Sequence, residues 1–192
     1  PNSYDSLVPE LVGERLMASI PFAGRYRMVD FILSSMVNCG IDNVSFVVRK
    51  NYHSLMDHLG SGREWDLTRK NGGLNIVPPF SEKTIKQYTG RVEALASILR
   101  FLQHQKEKYV VMADANIAVN FDFKAMLDAH IESGADVTIA YAREELPPAA
   151  MNDDVLNKEL YYTLNIRNGR VEKIFVNSKE PGVQNFSMNI YI

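Results

Sequence analysis

Residues 28–48, MVDFILSSMVNCGIDNVSFVV, carry the reading on which the fold turns. From Met28 to Cys39 the apolar side chains recur at helical spacing, and Gly40 follows as a natural stop, because glycine accepts the left-handed conformation that ends a helix. Beyond it, Asn43 to Val48 is a short run of β-branched and aromatic residues, which predicts a strand. The alternation continues along the chain. Leu74 to Val77, Tyr109 to Met112 and Val137 to Tyr141 read as further strands, with Pro78-Pro79 ending the first of them. Helical periodicity fits Tyr52 to Leu59, Val92 to Gln105, and Phe123 to Ser133 closed by Gly134. Strands joined through helices require right-handed crossovers, so the expected class is α/β, with a mixed, mostly parallel sheet flanked by helices.

The tail changes character. Tyr161 to Ile166 and Val171 to Val176 flank Asn168-Gly169, the signature of a tight β-hairpin, expected apart from the helix-covered sheet or at its edge. Residues 144–160, with two acidic pairs and Pro147-Pro148, read as a surface loop. Ser187 to Ile192 starts one more strand. The expectation is a single domain over residues 1–192 that forms part of a longer protein.

Composition narrows the partners. A net charge of -2 argues against nucleic acid, and no apolar run is long enough for a membrane helix. The one cysteine, Cys39, forms no internal disulfide, which suits a reducing, cytoplasmic compartment. His53, His58, His104 and His130 show no close metal-ligand spacing and read as surface or packing residues. Ligands of open α/β sheets bind beyond the carboxyl ends of the strands. Attention therefore falls on the turn before Met28, the turn after Met112, and the strand from Ser187. From the residues alone, the reading is an α/β domain for a phosphorylated ligand.

Five segments go further. Ile20 to Phe31, Tyr52 to Gly60, Trp65-Asp66-Leu67, Leu74 to Pro79, and Ser187 to Tyr191 occur in an order that resembles the glucose-1-phosphate adenylyltransferases (ADP-glucose pyrophosphorylases) of glycogen and starch synthesis. The resemblance implies the nucleotide-diphospho-sugar transferase fold. It also implies a reaction in which glucose 1-phosphate attacks the α-phosphate of ATP and pyrophosphate leaves. Such chemistry rests on positioning and charge neutralisation by a glycine-rich turn, cationic side chains and a carboxylate-held Mg²⁺.

Position by position, the chemical groups implied by the resemblance are missing. The phosphate turn, approximately Gly-Gly-x-Gly-Thr-Arg-Leu in the family, corresponds to Asn2 through Val8, and Leu7 stands where the arginine would be. The family's lysine falls on Met17 and its metal-binding aspartate on Asn116. Asp114, two residues earlier and on the same face if the strand persists, is the candidate to replace that charge. The base-binding turn becomes Gly90-Arg91-Val92-Glu93-Ala94, in which Gly90 persists, and Ser187 matches a serine near the glucose site. Lys179 or Lys173 is a candidate anion contact at the sugar-phosphate end or a solvated surface lysine. Arg49, Lys50 and His53 form either an exposed cationic loop or contacts to a phosphorylated effector at a helix start.

Losses at chemical positions with packing motifs kept resemble the regulatory subunit type of this family, which works beside a catalytic adenylyltransferase subunit in a hetero-oligomer such as a tetramer. On this reading the chain alone is inactive or weakly active and holds no metal or cofactor, Mg²⁺ belonging to the family reaction. The resemblance further implies a C-terminal left-handed β-helix in the full protein. Two alternatives stay open: an active nucleotidyltransferase with unusual catalytic groups, and a stand-alone sugar-phosphate sensor.

Overall fold

The computed structural model describes residues 8–48, 51–69, 72–78, 91–146 and 161–192. They gather into two compact units, one of Pro9–Lys108 with Asp114–Ala125, the other of Tyr109–Ala113 with Met126–Ile192.

In the first unit, a short helix α1 (Pro9–Val12) precedes a two-stranded hairpin of β1 (Pro21–Phe22) and β2 (Tyr26–Arg27). Helix α2 (Met28–Asn38) starts directly after β2. Its start is held by Asp30, whose Oδ2 accepts the Arg27 backbone N–H at 3.0 Å, an acidic first-turn side chain reaching back over the helix end. Gly40 ends the segment at φ +82, as the sequence predicts. Val29, Ile32 and Leu33, spaced three and four apart, form the buried face.

The strands β3 (Asn43–Val47) and β4 (Gly73–Val77) pair in parallel, with Val44 opposite Leu74, and α3 (His53–Leu59) lies between them in sequence. Val29 and Leu33 of α2, Val44 of β3, and Leu55 and Leu59 of α3 pack with Leu16, Ala18, Val48 and Leu67 into one core. Full burial of each valine or leucine side chain among them is worth about 1.5–3 kcal/mol.

One expected helix is divided. In place of one helix over residues 92–105 stand α4 (Arg91–Ser97) and α5 (Leu99–Gln103), broken at Ile98, whose φ and ψ are -108° and 13°. Ser97 Oγ donates to the Ala94 carbonyl at 2.6 Å, and Ile98 N–H bonds Leu95, three residues back. A serine hydroxyl that competes for helix carbonyls loosens the ladder at this point.

The second unit is built around one strand. β5 (Met112–Ala113) is shorter than the run Tyr109–Met112 predicted, because only those two residues find partners, Tyr191 and Ile190. After α6 (Phe123–Ser133), whose first turn is capped by Asp122 Oδ1 accepting the Ala125 N–H at 2.9 Å, come β6 (Ile139–Glu145), β7 (Tyr162–Arg167), β8 (Arg170–Val176) and β9 (Val183–Tyr191). Met112 and Ile139 both pair with Tyr191, so β5 and β6 flank β9 on opposite edges. β7 joins β9 through Thr163 and Phe186 and carries β8 outermost. The Asn168-Gly169 turn has φ of +51 and +73, the double left-handed geometry of a two-residue hairpin, and the hairpin sits at the sheet edge as expected.

The fold is mixed α/β, as expected. Its parallel share is smaller than expected: β3–β4 is parallel, whereas every described ladder around β9 is antiparallel. The Asn168-Gly169 hairpin joins β7 to β8, and β9 pairs with β7 along its other edge. Among the described residues, no helix is long and apolar enough to cross a membrane.

Candidate functional site

The first unit brings together residues that the sequence singles out from opposite ends. Asn116 Nδ2 donates to Met17 Sδ at 3.1 Å, although 99 positions separate them. Met17 opens a short 3₁₀ turn, Met17–Ser19, and Asn116 lies in the turn after β5. The Asn116 Oδ1 atom is buried without a hydrogen-bond partner, as is Ser19 Oγ. A thioether is a weak acceptor, so the amide gains little for its lost hydration.

Asp114 is engaged from another direction. Arg91 Nε donates to its Oδ1 at 3.1 Å and Arg91 Nη2 to its Oδ2 at 2.6 Å, a two-pronged guanidinium–carboxylate pair. The Asp114 side chain is 9% exposed and that of Arg91 18%. The strand alternation that would put Asp114 and Asn116 on one face does not apply, because β5 ends at Ala113 and Asn116 lies in the turn beyond it. Arg91 was legible only as a departure from the base-binding turn of the resemblance; nothing in its spacing announced Asp114 as its partner.

A second polar group, unforeseen in the sequence, holds α2 to α3. Asp30 Oδ1 meets His58 Nε2 at 2.6 Å. Arg27 Nη1 donates to both the carbonyl and the hydroxyl of Ser54. The indole of Trp65 stands edge-on to His58 and donates to Ser34 Oγ at 3.2 Å. These contacts brace the helix that follows the β1–β2 hairpin.

The remaining candidates divide. His53 is exposed and stacks on Tyr52 at 5.1 Å. In the second unit, Ser187 on β9 accepts the Asn189 N–H at 3.2 Å, and its hydroxyl lies 3.4 Å from that of Tyr191. Asn189 adopts φ +56, within a β9 segment where β6 and β9 fall out of register between Ile139 and Tyr141. Lys173 lies over the Phe175 ring at 4.7 Å, and Lys179 lowers the cost of ionising Tyr161, which burial raises. Leu7, Gly90, Arg49 and Lys50 lie outside the described residues.

The Mg²⁺ implied by the resemblance does not fit this geometry. A hard cation requires anionic or strongly dipolar oxygens free to turn toward it. Asn116 offers one neutral oxygen, and both oxygens of Asp114 already accept from a guanidinium. Among the described residues, no three His, Cys, Asp or Glu side chains gather as a set of ligands.

Known proteins place the chain. It is 44% identical over 139 residues to the glycogen biosynthesis protein GlgD of Geobacillus stearothermophilus, a match covering 71% of this chain and 40% of that protein. It is 35% identical over 161 residues to the protein of the same name from Bacillus subtilis (strain 168), covering 83% and 47%. It is 37% identical over 123 residues to the glucose-1-phosphate adenylyltransferase of Bacillus mycoides (strain KBAB4), covering 64% and 33%. The chain thus spans less than half the length of these curated relatives. Among solved structures, one named as a glucose-1-phosphate thymidylyltransferase from Bacillus anthracis, in complex with sucrose, superposes with a TM-score of 0.65 at 15% identity, covering 94% of this chain and 63% of that one. HddC from Yersinia pseudotuberculosis, complexed with GMP-PN, superposes with a TM-score of 0.62 at 13% identity, covering 91% and 65%. At such identities the structures show a shared fold, that of nucleotidyltransferases. Residues 14–150 match the nucleotidyl transferase family, and the chain belongs to it.

Proposed function

We propose that this chain is the nucleotidyltransferase-like part of a regulatory subunit of glucose-1-phosphate adenylyltransferase in glycogen biosynthesis, with its own transfer site silent. The observation that carries the reading is the contact between Met17 and Asn116. The positions that the resemblance gives to the phosphate lysine and the metal aspartate hold a thioether and an amide, and these two side chains meet each other at 3.1 Å. Neither carries charge, so together they neutralise no triphosphate and recruit no Mg²⁺. The likeness to proteins named GlgD supports a role in glycogen synthesis. On this reading the partner is a catalytic adenylyltransferase subunit with an intact glycine-rich turn, in a hetero-oligomer. Arg49, Lys50 and His53 are then the candidate contacts for a phosphorylated effector.

The test is an adenylyltransferase assay on the full-length protein alone, the catalytic partner alone, and the two mixed. The expected result is near-zero turnover for the first and, for the mixture, a rate or effector response that differs from the partner alone. Turnover by the unmixed protein within about tenfold of the partner would overturn the reading, because single electrostatic groups of the missing kind are each worth roughly 3–4 kcal/mol of transition-state stabilisation.

A further inference from the structure

We infer that Arg91 is a built-in counter-cation: by holding both oxygens of Asp114 it masks this carboxylate and keeps divalent cations off the turn that follows β5. The inference rests on the reading that this turn belongs to a silent transfer site.

Three features carry it. The contact is two-pronged, Nε to Oδ1 and Nη2 to Oδ2, so neither carboxylate oxygen is left with its full charge. The pair is largely withdrawn from water, with side chains 18% and 9% exposed. Screening is weak there, and the attraction exceeds that of a surface pair. An arriving Mg²⁺ or Mn²⁺ would have to shed water and displace a cation already in place. Mg²⁺ dehydrates reluctantly and cannot recover that cost from one shared carboxylate. Two residues on, the Oδ1 of Asn116 is buried without a hydrogen-bond partner, and it brings the turn an oxygen but no charge.

The experiment uses Mn²⁺ as the probe. Its binding is followed by titration calorimetry, and its location by paramagnetic broadening of the backbone amides of residues 114–116. Four proteins are compared: wild type, Arg91→Ala, Arg91→Gln, and the double variant Arg91→Ala/Asp114→Asn. The expected result is no broadening at these amides in wild type and binding tighter by about tenfold or more in the Arg91 variants. The double variant should lose both signals. Arg91→Gln keeps most of the side-chain stem, and circular dichroism reports whether each variant is folded.

Three outcomes overturn the mask. One is local broadening already present in wild type. The second is Arg91 variants that fold but bind Mn²⁺ no better than wild type. The third is failure of both Arg91 variants to fold, which makes Arg91 a structural brace. Transferase activity of the unmixed wild-type protein overturns the underlying reading instead, and that readout is independent of the Mn²⁺ comparison.

Discussion

Asn116 spends its side-chain N–H on the sulfur of Met17 and leaves its buried carbonyl oxygen with no partner. An amide tolerates this arrangement because it carries no charge. A carboxylate does not, since it would face a soft thioether with no donor to satisfy it. Asn116→Asp should therefore destabilise the protein by about 1–3 kcal/mol, seen as a fall of several degrees in thermal midpoint. It should restore little transfer activity, because groups that neutralise one phosphate act as a unit and Leu7 still stands at the arginine position. An unchanged or raised midpoint would mean that the new carboxylate has found a cation or water, and the Met17 contact would lose its importance.

Asp30 serves two elements at once. Its Oδ2 holds the Arg27 N–H at the start of α2, and its Oδ1 meets His58 of α3. Asp30→Ala should cost about 2–3 kcal/mol, combining a lost helix-start contact with an imidazole left unpaired in a half-buried site. His58→Ala should cost less, and the double variant should cost less than the two single costs added, because the residues share one contact. Additive costs in urea unfolding would show that Asp30 and His58 act separately.

Glycine is required at Gly73 and merely convenient at Gly134. Both have positive φ, +80 and +58, but a Cβ on Gly73 would stand 2.4 Å from the Leu67 carbonyl oxygen, whereas a Cβ on Gly134 meets nothing within 4 Å. Gly134→Ala should cost about 1 kcal/mol, the penalty of the left-handed backbone. Gly73→Ala must also displace the backbone where β4 begins, and its cost should exceed that of Gly134→Ala by at least about 1–3 kcal/mol. Equal thermal midpoints for the two variants would refute the clash.

Tyr161 provides an alkaline probe of the hairpin. Burial raises its pKa above the ordinary tyrosine value, partly offset by Lys179, and its hydroxyl donates to the Ser178 carbonyl. The folded state thus holds the phenolic proton more tightly than the unfolded chain does. The resulting stabilisation is complete below about pH 10 and is lost as pH rises through the folded-state value. Urea midpoints of wild type minus those of Tyr161→Phe, measured from neutral pH upward, should stay level and then fall in the alkaline range. A difference that is level throughout would show that the phenol is not perturbed.

The legible part of this molecule is what repeats. Met28 to Gly40, Asn43 to Val47, Phe123 to Gly134 and the Asn168-Gly169 hairpin all follow from periodicity and turn chemistry, and the structure has them where those rules put them. The break at Ile98 was not legible, because a serine hydroxyl bonding back to its own helix looks the same in sequence as one facing water. The short β5 was missed for a related reason: Tyr109, Val110 and Val111 have strand composition, but a strand also needs a partner, and pairing is a property of the whole fold. At the site, the resemblance named Met17 and Asn116 as separate substitutions, and Asp114 was the candidate to replace the lost charge. That Met17 and Asn116 touch, and that Arg91 closes on Asp114, are contacts between distant segments that no local pattern encodes.

The central place of β9 governs the order of assembly during synthesis. β5, β6 and β7 all leave the ribosome before the strand that pairs with each of them. Until Val183 to Tyr191 has emerged, these strands present open backbone edges, with β6 carrying the exposed Tyr141, and have no common template on which to close. The first unit's core is complete well before that, since its buried members precede residue 68 and the half-buried side chains packed on them precede residue 116. The nascent chain thus passes through an interval in which one folded unit trails β5 and β6 without their partner and the β7–β8 hairpin with one edge open. Such a species is prone to edge-to-edge association.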